Sequence, residues 1–89
     1  MTWTISYTES ALRQLKKLDK VMALRVVDFM DERIAPLDDP RSLGKNLVGP
    51  KRGTYWRYRI GDIRVICSIQ DSEMCVLVIE MGHRREVYR

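Results

Sequence analysis

Two residues, Gly61 and Asp62, separate two runs of alternating pattern, Thr54 to Ile60 and Ile63 to Gln70. Glycine followed by a turn-former suits a two-residue type II′ hairpin. Such a turn fixes the register. Ile60 then faces Ile63, Arg59 faces Arg64, and Arg57 faces Ile66. Side chains alternate between the faces of a sheet. Arg57, Arg59 and Arg64 therefore share one face. Trp56, Tyr58, Ile60, Ile63, Val65 and Cys67 share the other, which can pack on helices.

The rest of the chain supplies those helices. Trp3 to Tyr7 alternates as a half-buried strand does. Thr8 can cap a helix over roughly Glu9 to Leu18, where Ala11, Leu12, Leu15 and Leu18 recur at helical spacing. Asp19 can cap a second helix, whose Val21, Leu24, Val27, Met30 and Ile34 carry it to about Ile34, and Pro36 stops it. Leu37 to Gly53 has loop composition and is basic, with Arg41, Lys45, Lys51 and Arg52. Met74 to Met81 is apolar almost throughout, as in a strand covered on both faces. The order predicts an α+β domain over residues 1–89, β-α-α-β-β-β, with a helical hairpin packed on an antiparallel sheet.

At 89 residues the chain makes one domain with a modest core. It has no stretch apolar enough to cross a membrane, and its start, Met1-Thr2-Trp3-Thr4, has no signal-peptide pattern, so a cytoplasmic location is expected. Cys67 and Cys75 read as small buried hydrophobes in a reducing compartment. A net charge of +4 favours an acidic partner.

Three arginines on one face, two directly opposed, destabilise the strand pair unless something offsets them. Two readings stand at this point. Glu80 could lie beside Arg64 if a three-residue turn, Asp71-Ser72-Glu73, sets that register. Alternatively a polyanion binds there, since guanidinium forks match phosphate oxygens. The closing segment, Gly82 to Arg89, follows the last strand and brings His83, Arg84, Arg85 and Tyr88. RNA cleavage without a metal needs a base, phosphorane-stabilising cations and an acid. Histidine suits proton transfer at neutral pH, tyrosine serves if cations lower its pKa, and arginine is a poor base. Against these roles, a lone histidine is more often a surface residue, and a tyrosine near a terminus often closes a core edge. The histidine has no ligand-spaced neighbours, and Asp38-Asp39-Pro40 reads as turn chemistry, so no metal or other cofactor is expected.

The stretch Gly53-Thr54-Tyr55-Trp56-Arg57-Tyr58-Arg59-Ile60-Gly61-Asp62-Ile63-Arg64-Val65-Ile66 resembles the core signature of the RelE/ParE superfamily of toxins. Gly82-His83-Arg84-Arg85-Glu86-Val87-Tyr88 resembles the closing motif of its RelE branch. Ile5 to Thr8 before Ala11 to Leu18, and Asp39-Pro40-Arg41, also fit, so the resemblance spans essentially the whole chain. It implies a RelE-like fold akin to microbial ribonucleases. It further implies a type II toxin that cuts mRNA at the ribosomal A site by 2′-OH attack, without metal. A RelB-like antitoxin would block it, and the pair would bind operator DNA. By position, Arg57 and Arg59 match a basic pair at the cleavage site, which is lysine in the type member, and Arg64 matches a phosphate-stabilising arginine. Arg84 matches a basic residue in an acid or phosphate role, and Tyr88 a tyrosine that stacks on the nucleotide. His83 lies where other branches place a catalytic histidine. Lys45, Lys51, Arg52 and Arg85 would bind RNA or ribosome. The alternative within the same fold is a ParE-type protein that inhibits DNA gyrase without cutting RNA.

Overall fold

Short polar side chains in the connections start both α-helices. In the computed structural model, which describes residues 2–47 and 55–83, β1 (Thr4–Tyr7) ends at Thr8. The Thr8 hydroxyl accepts from Ala11 N at 3.1 Å and caps α1 (Glu9–Lys17). Asp19 Oδ1 accepts from Met22 N at 2.8 Å and caps α2 (Lys20–Phe29). The second helix does not run to Ile34 as an α-helix. Its last turn, Met30–Ile34, is π-helical, and Ala35 N donates to Met30 O at 2.9 Å. The widened turn places Met30, Ile34 and Ala35 all in the core.

The sheet has the order β1-β5-β4-β3-β2, with β2 (Lys45–Asn46), β3 (Trp56–Ile60), β4 (Ile63–Gln70) and β5 (Cys75–His83). It is mixed, which corrects the purely antiparallel expectation. β1 runs parallel to β5, with Ile5 opposite Val76 and Tyr7 opposite Val78. Alternation along a strand says which residues share a face, and it says nothing about the direction of a partner some seventy residues away. The short β2 falls inside the segment read as loop.

The hairpin register is as the turn dictates. Ile60 pairs Ile63, Arg59 pairs Arg64 and Arg57 pairs Ile66. Gly61 has φ +59 and Asp62 does not share its positive φ, as a type II′ turn requires. The helix-facing side of the sheet forms the core with Tyr58, Ile60, Ile63, Val65, Cys67, Val76, Val78 and Met81, covered by Ala11, Val26, Met30 and Ile34 from the helices and the turn after them. Both cysteines are free thiols. Among the described residues no helix is long and apolar enough to cross a membrane.

The β4–β5 register differs from the expectation. The connection takes four residues, with a 3₁₀ turn over Asp71–Glu73 and Met74 in the left-handed region at φ 48. A bulge between Ile66 and Cys67 adds one more residue of offset. Together they move the pairing by two, so Glu80 faces Ile66 and Gly82 faces Arg64. A shift of two preserves parity, and Glu80 stays on the arginine face, one diagonal step from Arg64.

Three core groups make the fold sensitive to alkali. Burial pushes the Tyr7 hydroxyl up to about 12, with Asp31 and Cys67 adding to the shift. Burial likewise raises Tyr58 and Cys67. The folded chain therefore holds these protons at pH values where the unfolded chain sheds them. This contribution is complete below about pH 9, the ordinary value of the thiol, and is lost as pH rises towards 12. The Tyr7 hydroxyl is also buried without a hydrogen-bond partner among the described residues. Tyr7→Phe should raise stability by about 1 kcal/mol, or roughly 4–8 °C in Tm for a domain of this size, and soften the alkaline limb. Thermal melts from pH 7 to 11 check both, and a lower Tm at neutral pH would show that the hydroxyl is needed.

Candidate nucleic-acid interface

The core decides where the charges go. Trp56, Tyr58 and Ile60 point to the helices, so Arg57 and Arg59 must point away, and Arg64 follows between Ile63 and Val65. Lys45 lies opposite Arg57 and joins the same face. Arg59 and Arg64 are a direct cross-strand pair, so their β-carbons lie roughly 5 Å apart. The four cations differ in exposure. Lys45 and Arg59 are exposed, Arg57 is half-buried, and Arg64 is only 4% exposed. Arg59 Nε reaches the Gly61 carbonyl at 3.5 Å, the outer limit of a hydrogen bond. The residue opposite Arg64 is Gly82, which presents no side chain.

Glu80, half-buried, is the one carboxylate among the described strand residues of this face. The sequence reading gave it a purely structural part. Its pairing with Ile66 rather than Arg64 was not accessible from the pattern, because neither the four-residue turn nor the bulge is. A small apolar cluster flanks the cations. Leu47 and Ile66 are buried against each other, with Tyr55 packed on them. Leu47 N donates to Tyr55 O at 3.1 Å, which continues the β2–β3 ladder. Tyr55 thus sits two residues from Arg57 on the same face, an aromatic ring that sequence reading did not single out.

The segment after α2 is strapped down by aromatic donors. Trp3 Nε1 donates to Asp38 O at 3.3 Å, Tyr58 OH to Pro40 O at 2.7 Å, and Trp56 Nε1 to Leu43 O at 2.6 Å. Asp39 Oδ1 accepts from Arg41 N at 2.9 Å and caps the 3₁₀ turn Pro40–Ser42. Arg41 binds both carboxylate oxygens of Asp71, at 2.9 and 3.0 Å, and holds that carboxyl below its usual range. Arg41 is thus bound to Asp71 at the β4–β5 turn. Gly44 then lets the chain pass tightly over β3. It has φ +80, and a β-carbon there would meet the Arg57 carbonyl oxygen, with Trp56 Nε1 at 2.7 Å. This close approach delivers Lys45 to its place beside Arg57.

His83 is not brought to the arginines. It pairs with Ile63, a helix-side residue, and lines a cleft with Gln14, Lys17, Leu18, Met81 and Gly82. It therefore stands on the opposite side of the sheet from Arg57, Arg59 and Arg64. Local pattern could have shown this, since His83 is one residue past Gly82, but only with the β4–β5 register in hand. Lys51, Arg52, Arg84, Arg85 and Tyr88 lie outside the described residues. Among the described residues no three His, Cys, Asp or Glu side chains converge as metal ligands.

Comparison with known proteins gives a consistent picture. The family model for the "ParE toxin of type II toxin-antitoxin system, parDE" matches residues 5–88. Toxin RelG of Mycobacterium tuberculosis is 30% identical over 89 residues, spanning 100% of this chain and 99% of that protein. Toxin RelE of the same organism is 32% identical over 85 residues, spanning 96% and 84%. The crystal structure of the toxin-antitoxin complex RelBE2 from M. tuberculosis superposes with a TM-score of 0.84 at 26% identity, covering 94% of this chain and 93% of that one. The archaeal RelE-RelB complex from Pyrococcus horikoshii, at 22% identity and a TM-score of 0.68, shares the fold.

The two positive-φ glycines should respond differently to alanine. Both substitutions strain the backbone by about 1 kcal/mol, but a β-carbon at Gly61 meets only Met22 Cε at 3.7 Å. Gly44→Ala adds a backbone clash, and should cost roughly 2 kcal/mol more than Gly61→Ala. Urea unfolding of the pair checks this, and equal losses would mean that the strap yields without cost.

Proposed function

This chain belongs to the RelE/ParE superfamily of type II toxin–antitoxin toxins, and from that premise we propose that it is a metal-independent endoribonuclease that cuts mRNA on the ribosome. The observation that carries the reading is the cationic face in which Arg59 opposes Arg64 and Lys45 opposes Arg57. A protein that only needed a stable sheet would not oppose like charges across two strand pairs. A phosphodiester answers the arrangement, because each of its non-bridging oxygens accepts from a guanidinium fork.

In the proposed reaction the ribose 2′-oxygen attacks phosphorus, the bond to the 5′-oxygen breaks, and a 2′,3′-cyclic phosphate forms. Arg57, Arg59 and Arg64 stabilise the dianionic phosphorane, which carries more charge than the ground state and so gains more from fixed cations. Guanidiniums hold their protons at any working pH, so the base is another group. Glu80 is our candidate to take the 2′-OH proton, being the carboxylate of that face among the described strand residues. The departing 5′-oxygen takes its proton from solvent, Arg84 is proposed to stabilise its developing charge, and Tyr88 to stack on a base. Lys45, Lys51, Arg52 and Arg85 are proposed to hold RNA and ribosomal backbone by charge.

The setting would be the bacterial cytoplasm, with a RelB-like antitoxin as the partner that restrains the toxin and joins it at operator DNA. An acidic antitoxin segment suits the cationic face. The helices also expose Leu12, Val21 and Leu24, which suit an amphipathic one. The match to a family model named for ParE favours a second reading, a gyrase inhibitor that cuts no RNA.

Programmed 70S ribosomes with primer extension separate the two. Arg64 is too buried to give a clean variant, so the exposed Arg59→Ala is the informative one. Discrete A-site cuts, reduced about 100-fold in folded Arg59→Ala, are expected from the loss of one transition-state cation. Glu80→Gln should lose cleavage by a similar factor while keeping its affinity for RNA. Full cleavage by Arg59→Ala would remove the arginine face from the mechanism. Intact mRNA with inhibited gyrase supercoiling would establish the second reading.

A further inference from the structure

The cleft around His83 has a chemistry of its own. It encloses about 220 Å³ between the end of α1 and the end of β5. The parallel pairing of β1 with β5 stops at Val78, so β5 beyond it has an edge with no strand neighbour among the described residues. Two side chains near or on α1 cover that edge. Thr8 Oγ1 donates to Ile79 O at 3.0 Å, and Gln14 Oε1 accepts from Met81 N at 2.7 Å. The second bond fixes the Gln14 amide, so its Nε2 end is left as a donor pair at the cleft. Lys17 Nζ and a ring N–H of His83 are the other polar groups among the lining side chains, and they too donate. Leu18 and Met81 supply an apolar wall. Among the described residues the lining includes no carboxylate.

Donors on one side and an apolar wall on the other describe a pocket for a group that is both anionic and flat. Its volume exceeds what a phosphate alone needs. The cleft also adjoins the cationic face. Gly82, which lines it, is the residue opposite Arg64. Gly82 carries no side chain to stand between a strand lying on the arginines and the cleft.

We propose that the Gln14–Lys17–His83 cleft binds one nucleotide of the single-stranded RNA that flanks the phosphate held by the arginines. Lys17 and Gln14 take the phosphate, and the base lies on Leu18 and Met81 against the His83 ring. This combination of cation and stacking surface is how proteins hold single strands without reading sequence. The carbonyl end of α1 opposes an anion, and Lys16 and Lys17 offset it. The gain is therefore modest. The inference rests on the nuclease reading of the arginine face, and adds to it a second contact that sets the length of RNA engaged.

The test uses the full chain and labelled 2′-O-methyl RNA, which binds but cannot be cut. A trinucleotide covers the arginine face, and a hexanucleotide can reach the cleft as well. The hexamer should bind several-fold tighter than the trimer. Lys17→Gln with His83→Ala should weaken hexamer binding by 5- to 20-fold, lower its salt slope by about 0.7, and leave the trimer unchanged (all rough expectations). The chain has one histidine, so its ring resonance in NMR is unambiguous, and it should move with the hexamer and not with the trimer. An unmoved resonance, or a variant that binds the hexamer as the wild type does, overturns the proposal while the trimer's dependence on Arg59 keeps the nuclease reading. Binding of neither length overturns both. A variant that keeps RNA affinity but loses its antitoxin makes the cleft a protein-docking seat, and overturns the nucleotide.

Discussion

Everything functional in this fold depends on the parity set at Gly61. In a two-residue hairpin with the first residue at φ +59, Ile60 must face Ile63. A slip of one residue would send Arg57, Arg59 and Arg64 under the helices and bring Trp56, Tyr58 and Val65 out. The buried set on the helix side prevents that slip, because each of its side chains would leave the core together. The arginine face is thus the remainder after the core has been filled. Its electrostatic cost is tolerated because the apolar burial on the other side of the same strands is larger.

Parity is then carried to β5 by a compensation. The four-residue turn after β4 moves the register by one relative to a three-residue turn, and the bulge at Ile66/Cys67 moves it by one more. Either alone would put Glu80 among the helix-facing residues, a buried carboxylate with no cation near it. Both together return it to the arginine face and place Gly82 against Arg64. The π-helical turn at the end of α2 solves a similar problem. One extra residue in the turn lets Ala35 reach Trp3, whose N–H donates to the Ala35 carbonyl at 2.8 Å.

What the sequence reveals follows from how local each determinant is. The capping side chains of Thr8 and Asp19, the Gly61-Asp62 hairpin and the alternation of β3 and β4 act within a few residues, and they were legible. So was the sharing of one face by Arg57, Arg59 and Arg64. The direction of β1, the bulge in the β4–β5 ladder and the short β2 depend on partners ten to seventy residues away. The strap from Asp38 to Gly44 looked like loop because its order comes from Trp3, Trp56 and Tyr58, whose ring donors were counted only as core. His83 was a candidate because histidine suits proton transfer at neutral pH and because of its place in the family resemblance. The strand it ends had to be placed before its side could be known.

The choice of arginine over lysine on this face bears on how the site works. Arg64 is almost wholly covered, and a lysine so placed would shed its proton more readily than it would stay charged. A guanidinium cannot take that escape, so the charge persists in a poorly solvated place. Such a charge interacts strongly with any anion that reaches it. Any anionic partner that covers the face, whether RNA or an acidic peptide, removes the Arg59–Arg64 repulsion and stabilises the fold in proportion to its binding. A phosphodiester and an acidic inhibitor that both bound this face would compete for one set of charges.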